Sequence, residues 1–88
     1  MSTSTLTLGG WTTYAALTQQ ETDIFKTATA GLLGVKYTPK EVSKQVVAGT
    51  NYRFKCTTSI PHFGPGEALV EIFQPLEGEP YITDIKRM

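Results

Sequence analysis

The chain has 88 residues, with eight basic and eight acidic side chains and a net charge near zero. That length suits a single small domain, and the charge balance lacks the basic excess with which proteins hold nucleic-acid phosphates. No stretch approaches the run of about 20 apolar residues that a membrane span needs, so no membrane partner is expected.

Residues 1–10 combine Ser, Thr, Leu6, Leu8 and the pair Gly9-Gly10, and read as a tail outside a single domain of residues 11–88. No basic start with a long apolar run follows Met1, so the opening residues carry no secretory signal. Cys56 stands alone, which leaves no internal disulfide. Both features point to a soluble, cytoplasmic protein.

Trp11 to Leu17 mixes aromatic and small residues and suits a short strand or an extended arm. A helix is expected from Thr18, three residues ahead of Glu21, because that spacing makes a capping box for two free backbone donors. Asp23 adds negative charge near the positive end of the helix dipole. Ile24, Phe25, Ala28, Leu32 and Leu33 give one apolar stripe, with Gly34 as a left-handed stop. Thr22, Thr27, Thr29 and Gly31 are weak helix formers, so this helix needs a sheet to dock on.

After Gly34 the apolar period drops to two. Strands are expected over Lys40–Val47 and Thr50–Thr57, with Val42 and Val46 on one face of the first. Lys36, Lys40 and Lys44 suit its solvent side. Tyr52, Phe54 and Cys56 alternate with Arg53 and Lys55, the pattern of a sheet with one buried face. The prolines and glycines from Thr57 to Gly66 read as a connection. Ala68, Val70 and Ile72 mark another strand, Pro75–Pro80 a turn, and Tyr81–Lys86 the last strand. In that last strand Tyr81, Thr83 and Ile85 are expected on one side, Ile82 and Asp84 on the other. One helix followed by antiparallel strands is an α+β domain of two layers.

The residues with catalytic potential do not group. Cys56 sits on an expected core face and His62 in a Pro/Gly-rich loop, with no third group to orient an imidazole. One cysteine and one histidine also fall short of a metal site. Glu67, Glu71, Glu77 and Glu79 have no apolar pocket to separate their pKa values, and Gly9-Gly10 lacks the rest of a phosphate loop. Neither an enzyme nor a cofactor is expected.

The hairpin tip is the informative feature. Tips usually carry Asn, Asp or Gly because they face water, whereas here Val47 and Ala48 precede Gly49. Gln45-Val46-Val47-Ala48-Gly49, followed by Thr50-Asn51-Tyr52, resembles the QxVxG signature of cystatins, inhibitors of papain-like cysteine proteases. The likeness is to the small disulfide-free stefins, whose second hairpin has Leu-Pro-Gly where this chain has Leu76-Glu77-Gly78. It implies the cystatin fold, one α-helix across a curved antiparallel sheet of four to five strands. It further implies a reversible, tight-binding inhibitor that occludes the protease cleft with three segments. Those are Leu8, Gly9 and Gly10; Gln45, Val46, Val47, Ala48 and Gly49; and Pro75, Leu76, Glu77 and Gly78. Leu8 would fill the S2 pocket of the protease. The alternative is a non-inhibitory scaffold that binds another protein, or a dimer formed by domain swapping through the strained hairpin in place of a monomer.

Overall fold

Glu21 anchors the start of the helix. The computed structural model describes residues 10–88, and its helix α1 spans Gln19–Thr29. Thr18 is the N-cap of a complete capping box: its hydroxyl accepts from the Glu21 N–H, and its own N–H donates to Glu21 Oε1 at 2.8 Å. The helix stops well before Gly34. Thr27, Thr29 and Gly31 weaken its last turns, and Leu32 closes a turn back onto Thr29 with a 3.0 Å hydrogen bond. Leu32 and Leu33 therefore leave the apolar stripe, and both are exposed.

Four strands follow, β1 (Lys36–Val47), β2 (Gly49–Ile60), β3 (Gly64–Gln74) and β4 (Tyr81–Arg87), in the sheet order β1-β2-β3-β4. Every neighbouring pair is antiparallel. One helix packed across this curved sheet is the α+β cystatin-like architecture that the sequence leads one to expect. Facing residues build the core in rows: Tyr52 pairs with Ile72, Phe54 with Val70, and Cys56 with Ala68. All six are buried, and Phe25 of α1 meets Phe54 edge-on with ring centroids 5.0 Å apart.

Two irregularities bend the sheet and revise the expected faces. The register of β1 shifts between Pro39 and Glu41, leaving Lys40 without a partner on β2. Lys36 and Lys44 consequently point to opposite faces, and the three lysines form no row. Lys44 lies on the helix side and meets Glu21 at 3.0 Å. A second shift, beside Glu71 and Ile72, pairs Ile82 with Ile72 and Ile85 with Val70. Both isoleucines then pack on the core, where strict alternation would have separated them.

The segment Thr57–Gly66 is mostly strand, not connection. β2 runs to Ile60 and β3 starts at Gly64, with Pro61, His62 and Phe63 as the turn. Proline blocks ladder hydrogen bonds only where its nitrogen must donate, so Pro61 in the turn and Pro65 near the strand end are tolerated. The arm from Trp11 to Leu17 runs antiparallel along the outer edge of β1. Thr12 N donates to Lys44 O, and Ala15 and Val42 exchange two hydrogen bonds. That arm covers an edge that would otherwise offer unpaired backbone groups.

Burial disfavours the charged form of Glu21, but the Thr18 N–H, Lys44 and the Thr18 hydroxyl outweigh it and hold the carboxyl below its ordinary value. A carboxylate depressed in the folded state stabilises the protein above its unfolded pKa, and that stabilisation fades as pH falls through the folded value. Glu21→Gln keeps the capping-box geometry but removes the charge facing Lys44, and should cost about 1 kcal/mol at neutral pH. Urea unfolding midpoints of the two proteins should differ at neutral pH and converge as acid takes the solution below the lowered folded-state value of Glu21, because wild type alone loses this contribution there.

Candidate functional site

Three segments from distant parts of the sequence meet at one end of the sheet. The tip between β1 and β2 is closed by Val47 facing Gly49, with Ala48 exposed between them. Thr50 faces Gln74, so the chain leaves β3 for the 75–80 loop directly beside that tip. Trp11 bridges to Gln45, which brings Gly10 to the same end from the other side. Leu8 and Gly9 lie outside the described residues. Of the remaining candidates, Gly10, Gln45, Val46, Val47 and Pro75 are half-buried, while Ala48, Leu76, Glu77 and Gly78 are exposed.

Gly49 has a structural reason to be glycine. Its φ is +105°, a region that side-chain-bearing residues rarely adopt. A Cβ there would also lie 2.6 Å from the Gln74 carbonyl oxygen and 2.7 Å from the Phe73 ring. Gly49 is thus the seat on which β3 packs, and it is buried. The freedom that the sequence suggests for approach to a partner is taken up inside the molecule.

Gln74 shapes the second loop. Its Nε2 donates to the carbonyl oxygens of Pro75 at 3.0 Å and Gly78 at 2.9 Å, so one side chain spans the turn. Gly78 takes a φ of +113° there. Leu76 projects from this braced loop with 79% of its surface exposed.

The face opposite the helix carries a row of contacts just behind the tip. Register aligns Trp11, Gln45, Asn51, Phe73 and Tyr81 across the arm and all four strands. Asn51 Nδ2 donates to Gln45 Oε1 at 2.9 Å, and Phe73 meets Tyr81 edge-on at 5.8 Å. The Arg53 guanidinium sits 3.8 Å from the centroid of the Trp11 ring and pairs with Glu71. Farther along, Lys55 sits over the Tyr14 ring. These cation–π contacts hold the arm against the sheet and so fix the direction from which Gly10 arrives.

Trp11, Asn51, Phe73, Gln74 and Tyr81 are the site residues that sequence reasoning leaves out. Phe73 and Tyr81 occupy strand positions facing away from the core, which the two-residue alternation reveals. Nothing in the sequence marks Gln74, because its role depends on where the loop closes.

Cys56 and His62 stay apart in function. Cys56 lies in the core facing Ala68, while His62 occupies the turn beyond β2 with φ +71°. Burial pushes the Cys56 thiol up to about 12, opposite to the shift that would make it a nucleophile. Among the described residues no group of three or more His, Cys, Asp or Glu could hold a metal ion, and no helix is long and apolar enough to cross a membrane.

No protein-family model matches the chain, and no curated protein is significantly similar to it. The likeness to cystatins is one of architecture, a helix on a four-stranded antiparallel sheet.

Gly49→Ala and Gly34→Ala separate conformational strain from steric conflict. Both glycines have positive φ, but nothing lies within 4 Å of a Cβ at Gly34. Gly34→Ala should cost about 1 kcal/mol, and Gly49→Ala roughly 3 kcal/mol because β3 must also shift. Denaturant unfolding of the two variants measures the difference; equal losses would show that Phe73 and Gln74 do not press on Gly49.

Proposed function

We propose that this protein reversibly inhibits papain-like cysteine proteases by filling the active-site cleft with a three-part edge. The observation that carries the reading is the convergence of Gly10, the Val47–Gly49 tip and the Leu76 loop, given by the Trp11–Gln45 and Thr50–Gln74 pairings. The resemblance of Gln45 to Gly49 to the QxVxG signature supplies the partner class.

Inhibition of this kind needs exclusion and no bond-making, and the protein acts as a binder, not an enzyme. A small, apolar tip enters a narrow groove closely. Val47 and Leu76 add apolar burial, roughly 1.5–3 kcal/mol each if fully covered. Their backbones are already ordered: Gly49 is locked under β3 and Gln74 spans the second loop. Little conformational entropy is then left to lose on association. Within this reading Leu8 and Gly9 occupy the non-primed side, with Leu8 in S2. The Val46–Gly49 tip covers the catalytic thiol, and Pro75 to Gly78 lies on the primed side. Glu77 stands where stefins have proline, which makes that loop more acidic than theirs. A cytoplasmic site of action fits the lone reduced cysteine.

Titration of papain with the monomeric protein, using a fluorogenic peptide substrate, tests the proposal. Using the monomer peak from size-exclusion chromatography keeps a swapped dimer, whose tip would be opened out, from obscuring the result. Wild type should inhibit reversibly at submicromolar concentration. Val47→Asp should weaken inhibition at least about 100-fold, since it buries a charge where apolar contact is needed. Leu76→Ala should weaken it about tenfold, and removal of residues 1–9 should act mainly by faster dissociation. Absence of inhibition at micromolar wild-type protein would end this reading.

A further inference from the structure

At the end of the molecule opposite the three-part edge, the β2–β3 hairpin projects beyond the helix. Helix α1, with 11 residues, is about 16 Å long, whereas the 12 residues of β2 span about 40 Å. The long axis of the protein is 48 Å. Among the described residues only the helix–β1 connection borders the overhang. Its turn carries Phe63, with 82% of its surface exposed, where turn chemistry favours a small polar residue. Leu33, 92% exposed, reaches the same end from the helix–β1 connection. Leu32, Leu33, Val35 and Lys36 face Ser59 and Pro61 across a shallow hollow of about 400 Å³.

Charge is segregated in the same direction. Four ion pairs neutralise Lys44, Arg53, Lys55 and Lys86 against Glu21, Glu71, Glu41 and Asp84. Among the described residues Lys26, Lys36, Lys40 and Arg87 have no such partner; Lys40 and Arg87 lie along the sheet, while Lys26 and Lys36 border the groove in front of Tyr37 at this end. The unpaired Glu77 and Glu79 lie in the loop at the other end. Glu67 faces Thr57 farther down the hairpin and shares a hollow with Lys40, and Asp23, one turn before Lys26, lines a hollow with Gln74 and Pro80 toward the other end. Neutral overall, the protein presents its bare apolar points next to uncompensated cations.

We propose that this end docks peripherally on an anionic lipid bilayer, with Phe63 and Leu33 entering the headgroup layer and Lys26 and Lys36 facing the negative surface. Two isolated projections offer far less than the roughly 1,600 Å² of matched area that a specific protein partner needs. A deformable phase accepts such projections without shape complementarity, and lysines beside them add attraction to anionic lipid. A chain without a spanning segment can bind in this way, because the contact lies at the surface. The inference is independent of protease inhibition, which uses the opposite end.

Vesicle flotation with phosphatidylserine/phosphatidylcholine and with pure phosphatidylcholine tests it on the whole chain. Binding is expected to the anionic vesicles only, and to fall between about 0.1 and 1 M salt as screening shortens. Phe63→Ser with Leu33→Ser should lower partitioning at least about tenfold with an unchanged melting temperature. Lys26→Glu with Lys36→Glu should abolish it, whereas the same charge change at Lys86 and Arg87 should reduce it far less. Should the serine variant not fold, Phe63→Trp decides, because brominated lipid should quench its fluorescence beyond that of Trp11. The proposal is overturned by absence of vesicle binding, by equal binding to neutral vesicles, by a Trp at 63 that lipid does not quench, or by self-association through Phe63 without lipid binding.

Discussion

One short helix has to cover the inner face of a long sheet, and this mismatch governs the molecule. Phe25 and Ile24 bury Phe54, Val70 and Ile72 at the centre. Burial of that cluster is the main source of stability available to a chain without a disulfide. Helix α1 falls short of the Ile60 end of β2, whereas its first turns line a hollow with Gln74 and Pro80 beside the other end. Each end then has to be stabilised by local means, and the two do so differently.

At one end the solution is close interlocking. Gly49 lies under Phe73 and the Gln74 carbonyl, Gln74 braces the adjoining loop, and Asn51 holds Gln45. Two loops that are far apart in sequence share one strand end. At the other end two residues of positive φ, His62 and Gly64, turn the chain beyond the last core contact, Tyr37. Apolar side chains are left in water there because no second layer exists to receive them. The ends also differ in charge, since Glu77 and Glu79 lie unpaired in the loop at one and Lys26 and Lys36 unpaired at the other.

Much of the fold was legible. The capping box at Thr18 and Glu21 is a local arrangement, set by spacing and satisfied within one turn, and it forms as expected. Alternation at Tyr52, Phe54 and Cys56 and at Ala68, Val70 and Ile72 identified the buried face, because side-chain direction along a strand is fixed by the backbone. The reading failed where spacing was extended through an unseen irregularity. The register shift at Lys40 separates Lys36 from Lys44, which two-residue alternation already places beside Val42 and Val46, and the shift beside Ile72 brings Ile82 to the side of Ile85. Leu32 and Leu33 kept a helical period after the helix had ended. Proline and glycine between Thr57 and Gly66 suggest a break, yet strand ends and turns accommodate both.

By itself, the sequence determined the helix start, the two-layer α+β architecture, the inward face of the central strands and the tip at Val47–Gly49, all of which follow from local periodicity and backbone chemistry. Only the tertiary structure decided which segments share an end, what Gly49 is packed against, where Gln74 reaches, and which charges remain unpaired. Those depend on strand register and on two one-residue irregularities. A single extra residue in a strand turns every later side chain to the other face, and no composition or spacing rule announces where it will fall.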